Sequence, residues 1–252
     1  YKLLEYNLDL YDSNNLINIL IRTSYRPRSF KKCLDSIFKQ NYQNFRIIVG
    51  YDNDKALEYL ENYKEQIEYY RIDQDIDKNV ECFYNLYCNS LFEYVEDGWI
   101  MFLDDDDMFT RDNSLKTISN YLEEDSRIIF WNFICGQKIL QPSIDENNII
   151  KEDYICNSSY LFHNNYKHLG DWESGQRGDY QFIKNLVLGT GKEEYFENIF
   201  LDENLVRTIN SDLIHGNYGI LEYYDPPKFS IVMPYYNRKE QLILTLDGFQ
   251  KY

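Results

Sequence analysis

Positive charge is scarce in this chain. Lys and Arg total 26 against 42 Asp and Glu, which leaves a formal net charge of −16 over 252 residues. That balance argues against a nucleic-acid or anionic-membrane surface, because phosphate backbones demand clustered Lys and Arg. An acidic protein that handles a phosphorylated substrate must gather positive charge locally, and a divalent cation is the obvious supply. Long apolar runs are also missing: none approaches the roughly 18 residues of a membrane span, so no integral membrane segment is expected. The five cysteines (Cys33, Cys82, Cys88, Cys135 and Cys156) are odd in number and contain no C-x-x-C pair. They read as reduced residues of a cytoplasmic protein, not as a disulfide frame or zinc site. Asn157-Ser158-Ser159 fits a glycosylation pattern, but no secretory signal accompanies it and no modification is expected there. The first residue is Tyr, so an authentic N-terminus is expected to lie upstream.

What is present supports a substantial core. Hydrophobic residues make up 44% of the chain, with 15 Phe and 25 Tyr, enough for one large α/β domain or one domain plus a piece of another. The first half alternates strand and helix patterns. Strands are predicted at 17–23, 45–50, 67–72 and 99–103. Between them lie a helix with apolar Phe30, Cys33, Leu34, Ile37 and Phe38 and Ser29 as its cap, a short helix ending near Tyr63, and a helix over 80–91 capped by Asn79. Such an order predicts a mostly parallel sheet with right-handed crossovers, flanked by helices. Ligands of these sheets bind beyond the carboxyl ends of the strands. Thr23, Asp52 and Asp104 sit at such ends, which places the site on that edge.

Later segments are less regular, with a strand pattern at 127–133 and a helix pattern at 178–187. Asp225-Pro226-Pro227 breaks regular structure. After it, FSIVMPYYNRKEQLILTLDGFQ at 229–250 echoes NILIRTSYRPRSFKKCLDSIFKQ at 18–40. The reading is a first domain over 1–224, a linker over 225–228, and the truncated start of a second, similar domain over 229–252.

Asp104-Asp105-Asp106-Asp107 follows Trp99-Ile100-Met101-Phe102-Leu103 without a spacer. Four adjacent carboxylates repel one another, and a strand exit does not spread them along a helix face. A hard divalent cation with oxygen ligands resolves that repulsion.

Taken together, TSY at 23–25, the helix ending in SIFKQ, the strand FRIIVGYD and the run FLDDDD resemble family 2 glycosyltransferases with the GT-A fold, a Rossmann-like nucleotide-diphospho-sugar transferase architecture. The likeness is good over about 17–110 and looser beyond. It implies a nucleotide-sugar donor, a hydroxyl acceptor and Mn²⁺ or Mg²⁺, with a second glycosyltransferase domain downstream. Thr23 and Tyr25 match positions lining the nucleotide pocket, and Asp52 the acid that accepts from the uracil ring nitrogen. Asp104 and Asp106 match the DxD acids, Asp106 as direct metal ligand and Asp104 toward ribose or water, with Asp105 and Asp107 blurring which pair acts. His215-Gly216-Asn217 is similar to a run in some collagen-modifying glycosyltransferases. His215 is then a third metal ligand, and Gly216 and Asn217 lie beside the phosphates. Arg207 counters the diphosphate, and Asn85 approaches the nucleotide. Asp179 matches the last acid of the family's Glu-Asp motif and is implied as the base of an inverting reaction, although Gly178 replaces the acid before it; the alternatives are a helix cap alone, or Asp171 or Glu173 as the base.

The implied activity is transfer of a hexose from a UDP-sugar to a glycan, a lipid-linked sugar or a protein hydroxyl. Two rivals stand beside it. One is a different metal-dependent phosphate-group transferase, disfavoured because no G-x-x-x-x-G-K loop occurs and Thr23 stands where an aspartyl nucleophile would. The other is a catalytically degenerate sugar- or nucleotide-binding module, which Gly178 keeps open.

Overall fold

The structure is a computed structural model that describes residues 15–72, 76–192 and 195–209. The linker and the repeat beyond it lie outside the described residues. Nine strands form one sheet: β1 (Ile17–Thr23), β2 (Phe45–Tyr51), β3 (Glu68–Arg71), β4 (Trp99–Phe102), β5 (Asp107–Phe109), β6 (Arg127–Cys135), β7 (Lys138–Leu140), β8 (Tyr160–His163) and β9 (Glu197–Thr208). Their order is β3-β2-β1-β4-β8-β6-β9-β5, with β7 paired to β6. The first four strands are parallel neighbours, as the alternating pattern predicts. Beyond β4 the sheet is mixed, since β8 runs antiparallel to both β4 and β6 while β6 and β9 are parallel.

Strand β1 is central and buried along nearly its whole length, as a parallel strand covered on both faces must be. Ile17, Ile19 and Ile21 join one core with Met101, while Leu20 joins a second core with Ile48, Ile100 and Phe102. Alternate side chains of a strand point to opposite faces, so the two cores lie on opposite sides of the sheet. Helix α1 (Pro27–Phe38) covers the first with Phe30, Cys33, Leu34 and Ile37. Its start differs from the expectation. Pro27 occupies the first turn, where its missing N–H costs nothing, and Ser29 is buried inside the helix instead of capping it.

Short helices α2 (Leu57–Leu60) and α4 (Ser114–Ser119) complete that side. The second core is covered by α3 (Tyr87–Phe92) and α5 (Gly178–Thr190). The helix expected over 80–91 is shorter than its pattern. Cys82 adopts a left-handed φ of 50°, a tight turn fills Phe83–Leu86, and the α-helix begins only at Tyr87. Asn79 does not cap it; its backbone and side-chain N–H groups donate to Asp77.

The link from β4 to β5 forces the sheet to curl. Four strand spacings separate the two in the sheet order, about 19 Å if flat. Residues 102 to 107 reach at most about 18 Å even when extended. A turn in which Asp107 N–H donates to Asp104 O (2.9 Å) shortens the path further. Curling brings the far edge, β9 and β5, back over the ends of β1 and β4. No helix among the described residues is long and apolar enough to cross a membrane. None of the five cysteines forms a disulfide.

Candidate active site

A cleft of about 810 Å³ opens at the carboxyl ends of the parallel strands. β1 contributes Arg22 and Thr23, the exit of β2 contributes Asp52, and the turn after β4 contributes Asp104 to Asp107. Asn157, Asp179 and Thr208 come from the second half of the fold. Thr23, Asp52 and Asp104, the three strand-end residues singled out in the sequence, thus share one cleft.

The turn sorts four identical side chains into two pairs. Asp104 and Asp106 keep side-chain exposures of 30% and 17%, whereas Asp105 and Asp107 are buried in the cleft wall, 3% and 6% exposed as residues. Each has its own partners. Arg22 donates to Asp104 Oδ1 through one terminal nitrogen (2.8 Å) and more weakly through Nε (3.3 Å), and Asn157 Nδ2 donates to Oδ2 (3.2 Å). Arg26 bridges Asp105 and Asp106, 3.0 Å from each. Tyr59, Thr23 and Asp105 form a hydrogen-bonded row with two 2.7 Å links. Ser158 Oγ donates to Asp107 at 2.6 Å. Contrary to the expectation for a strand exit, the turn does disperse the carboxylates.

Charge remains in excess, because four carboxylates face two guanidiniums. Burial pushes Asp105 up to about 7 against the pull of Arg26, and raises Asp106 likewise. Burial, with the charges of Asp104 and Asp106, drives Asp107 well above the usual carboxylate range. Only Asp104 stays low: burial alone would raise it, but the charge and hydrogen bond of Arg22, with Asn157, hold it down.

Among the described residues, no three His, Cys, Asp or Glu side chains converge as a metal cage. A cage is not what a magnesium-like ion requires. It binds through one or two carboxylates completed by substrate phosphates and water. The two cleft-facing acids, hard oxygen donors in a cluster with surplus negative charge, fit that arrangement. The third expected ligand, His215, and its neighbours Gly216 and Asn217 lie outside the described residues. Ile209 N–H donates to Asp106 O (2.7 Å), which ties the end of the described chain to the acid cluster.

Asp52 lines the cleft with an asymmetric carboxylate. Tyr87 donates its hydroxyl to Oδ2 (3.2 Å), while Oδ1 is buried and has no partner among the described residues. A buried acceptor without a donor is costly unless a ligand supplies one. Asp179, the second residue of α5, also lines the cleft, and burial raises its pKa.

Other expected residues are placed differently. Thr23 borders the cleft but gives its hydroxyl to Asp105. Tyr25 lies 6.3 Å from the Tyr59 ring and donates to Glu58. Asn85 donates to Gly175 O (3.0 Å). Arg207 lies opposite Met108 in the β5–β9 pairing, and its neighbour Thr208 is the β9 residue on the cleft wall. Trp172, just before α5, stacks on Phe182 at 4.8 Å with 2% exposure and belongs to the core. Gly178 is small for a reason: a Cβ there would lie 2.3 Å from Asn85 Nδ2 and 2.8 Å from Glu173 O. Sequence reasoning missed Arg22, Arg26, Asn157 and Ser158. A charged residue closing an apolar strand was the available signal for Arg22.

Parallel strands feeding an acidic turn, with a mixed sheet curled over the same cleft, define the GT-A fold of the glycosyltransferases. The chain belongs to glycosyl transferase family 2, whose pattern it matches over residues 19–173. No curated protein sequence matches it. Solved structures share the fold at low identity. TarS 1-349 of S. aureus aligns with a TM-score of 0.58 and 13% identity over 76% of this chain and 60% of that one. The same protein in complex with UDP-GlcNAc aligns at 0.57 and 12% over 76% and 58%. The mannosyltransferase PcManGT from Pyrobaculum calidifontis, in complex with GDP-Man and Mn²⁺, aligns at 0.52 and 10% over 77% and 56%. The chain thus spans about 60% of the length of these structures.

Proposed function

We propose that this chain is a metal-dependent glycosyltransferase that moves a hexose from a UDP-sugar to a hydroxyl acceptor with inversion. The observation that carries the reading is the alternation at the β4 exit, with Asp104 and Asp106 partly exposed at the cleft and Asp105 and Asp107 buried in its wall. Complexes of similar structures with UDP-GlcNAc, and with GDP-Man and Mn²⁺, support a nucleotide-sugar donor and a divalent ion.

A divalent cation on Asp106, with Asp104 beside it and His215 as a further ligand, would stabilise the negative charge that develops on the leaving diphosphate. Arg22 and Arg26 add fixed positive charge to the same wall and orient those acids. Asp52 Oδ1 takes one N–H of the base. Uracil presents a single ring N–H, whereas guanine presents two adjacent donors that would need both carboxylate oxygens, one of which Tyr87 already holds. That count favours UDP over GDP. Asp179 accepts the proton of the acceptor hydroxyl as it attacks, a role that its raised pKa suits. The acceptor is a glycan, a lipid-linked sugar or a protein side chain.

The test is a screen of UDP-, GDP- and TDP-sugars with Mn²⁺ or Mg²⁺ for nucleotide release. The expected result is release from a UDP-hexose that requires the metal, with inverted product by anomeric NMR. A retained configuration would remove Asp179 from its role. Binding without turnover would favour the degenerate-module reading, which Gly178 in place of an acid supports.

A further inference from the structure

Residues 171–177 run without helix or strand between the 3₁₀ helix at Asn164–Leu169 and helix α5, and they end at the helix turn that carries Asp179. An irregular segment must satisfy its backbone polar groups elsewhere. Here the partners come almost entirely from one stretch, residues 81–89. Asn89 uses both ends of its amide on Trp172: Oδ1 accepts from the backbone N–H (3.0 Å) and Nδ2 donates to the carbonyl (2.9 Å). Asn85, one helical turn earlier, donates to Gly175 O (3.0 Å). Glu81 O accepts from Gly175 N–H (2.6 Å), and Glu81 Oε1 accepts from Gln176 Nε2 (2.8 Å). Asn85 is also wedged against Gly178, where no side chain fits.

From this lacing we propose that Asn85 and Asn89 are positioning residues: they clamp the 172–178 segment to the 83–92 stretch and thereby set where Asp179 stands in the cleft. The proposal rests on the reading of Asp179 as the acceptor-side base. Asn89 acts on Trp172 as a neighbouring strand would, pairing with both backbone groups of one residue. Trp172 is in turn locked by its stack on Phe182 of α5, so the clamp joins the loop, α3 and the helix bearing Asp179. Gly175 (φ +106°) and Arg177 (φ +74°) bend the chain sharply before α5, which leaves its course dependent on these contacts. Asn85 consequently serves the acceptor side and not the nucleotide.

The experiment compares wild type, Asn85→Ala, Asn89→Ala, Asn89→Asp, Asp179→Asn and the double variant Asn89→Ala/Asp179→Asn. It measures kcat and donor KM with the best donor, and hydrogen–deuterium exchange over 171–180. Expected are faster exchange confined to that segment, a kcat loss of about tenfold to hundredfold, the scale of a small misplacement, and a donor KM within about twofold of wild type. Asn89→Asp, which sets a carboxylate against Trp172 O, is expected to behave like Asn89→Ala. Because the effect passes through Asp179, the double variant is expected to match Asp179→Asn. Faster exchange with unchanged kcat, unchanged exchange, or additive losses in the double variant would each overturn the proposal while leaving the functional reading intact if wild type transfers sugar. A wild type that transfers none defeats the functional reading, and this proposal with it.

Discussion

Adjacent aspartates in the acidic turn have different tasks because of where each side chain points. Asp105 and Asp107 carry the cost of burial, and Asp104 and Asp106 face the cleft. The DDDD run stood out in the sequence as a candidate cation site from its position after a buried strand, but which of its side chains stay exposed was not legible, since the turn decides it. Arg22 and Arg26 were hidden for another reason: single arginines carry no pattern, and their partners lie about 80 residues away. Asn157 and Ser158 resembled a glycosylation pattern, yet both are buried and serve Asp104 and Asp107. Asp52 is the clearest case of a residue whose sequence reading gains a physical basis, a buried oxygen in need of a donor. Replacing it by Leu (Asp52→Leu) is expected to raise donor KM by about tenfold to hundredfold, as loss of a hydrogen bond to a charged group does, with little change in kcat. Steady-state kinetics check this, and an unchanged KM would remove Asp52 from base recognition.

Elements were legible where local patterns sufficed. The β1-α1-β2 and β4 units follow from periodicity and Ile- and Val-rich runs. The antiparallel placement of β8 between β4 and β6 was not legible, because pairing across 60 residues leaves no trace in local spacing. The helix expected over 80–91 loses its first turns to the left-handed Cys82, which apolar spacing does not encode. Gly98 governs how β4 enters the sheet: its φ is +81°, and a Cβ there would lie 2.6 Å from Leu16 O, a backbone atom that cannot turn aside. Gly98→Ala is therefore expected to destabilise the fold by roughly 1–3 kcal/mol, through backbone strain at a left-handed position. Denaturant unfolding measures this, and a stability equal to wild type would show that β4 tolerates a shifted entry.

At the scale of the whole molecule, a chain of net charge −16 concentrates two arginines where its acids crowd, and the four aspartates still outnumber them. That surplus makes stability depend on pH. Asp105, raised to about 7, and Asp106 and Asp107, also raised, bind more protons in the folded state than in the unfolded chain. Stability of the metal-free protein is expected to fall as pH rises from about 4 to about 7, the opposite of an ordinary salt-bridged carboxylate. Asp104, held low, contributes the reverse trend only below that window. Thermal melts across the window, with Asp105→Asn flattening the slope, check the sign; a melting temperature that climbs with pH would refute it.

The central claim is that the acidic turn holds a divalent ion which grips the two phosphates of a sugar donor. Calorimetric titration of UDP into wild type and Asp106→Ala, each with and without Mn²⁺, tests it most directly. The account predicts binding to wild type that depends on Mn²⁺ and is lost in Asp106→Ala while that variant stays folded. UDP binding of equal strength in both proteins without the metal would contradict it.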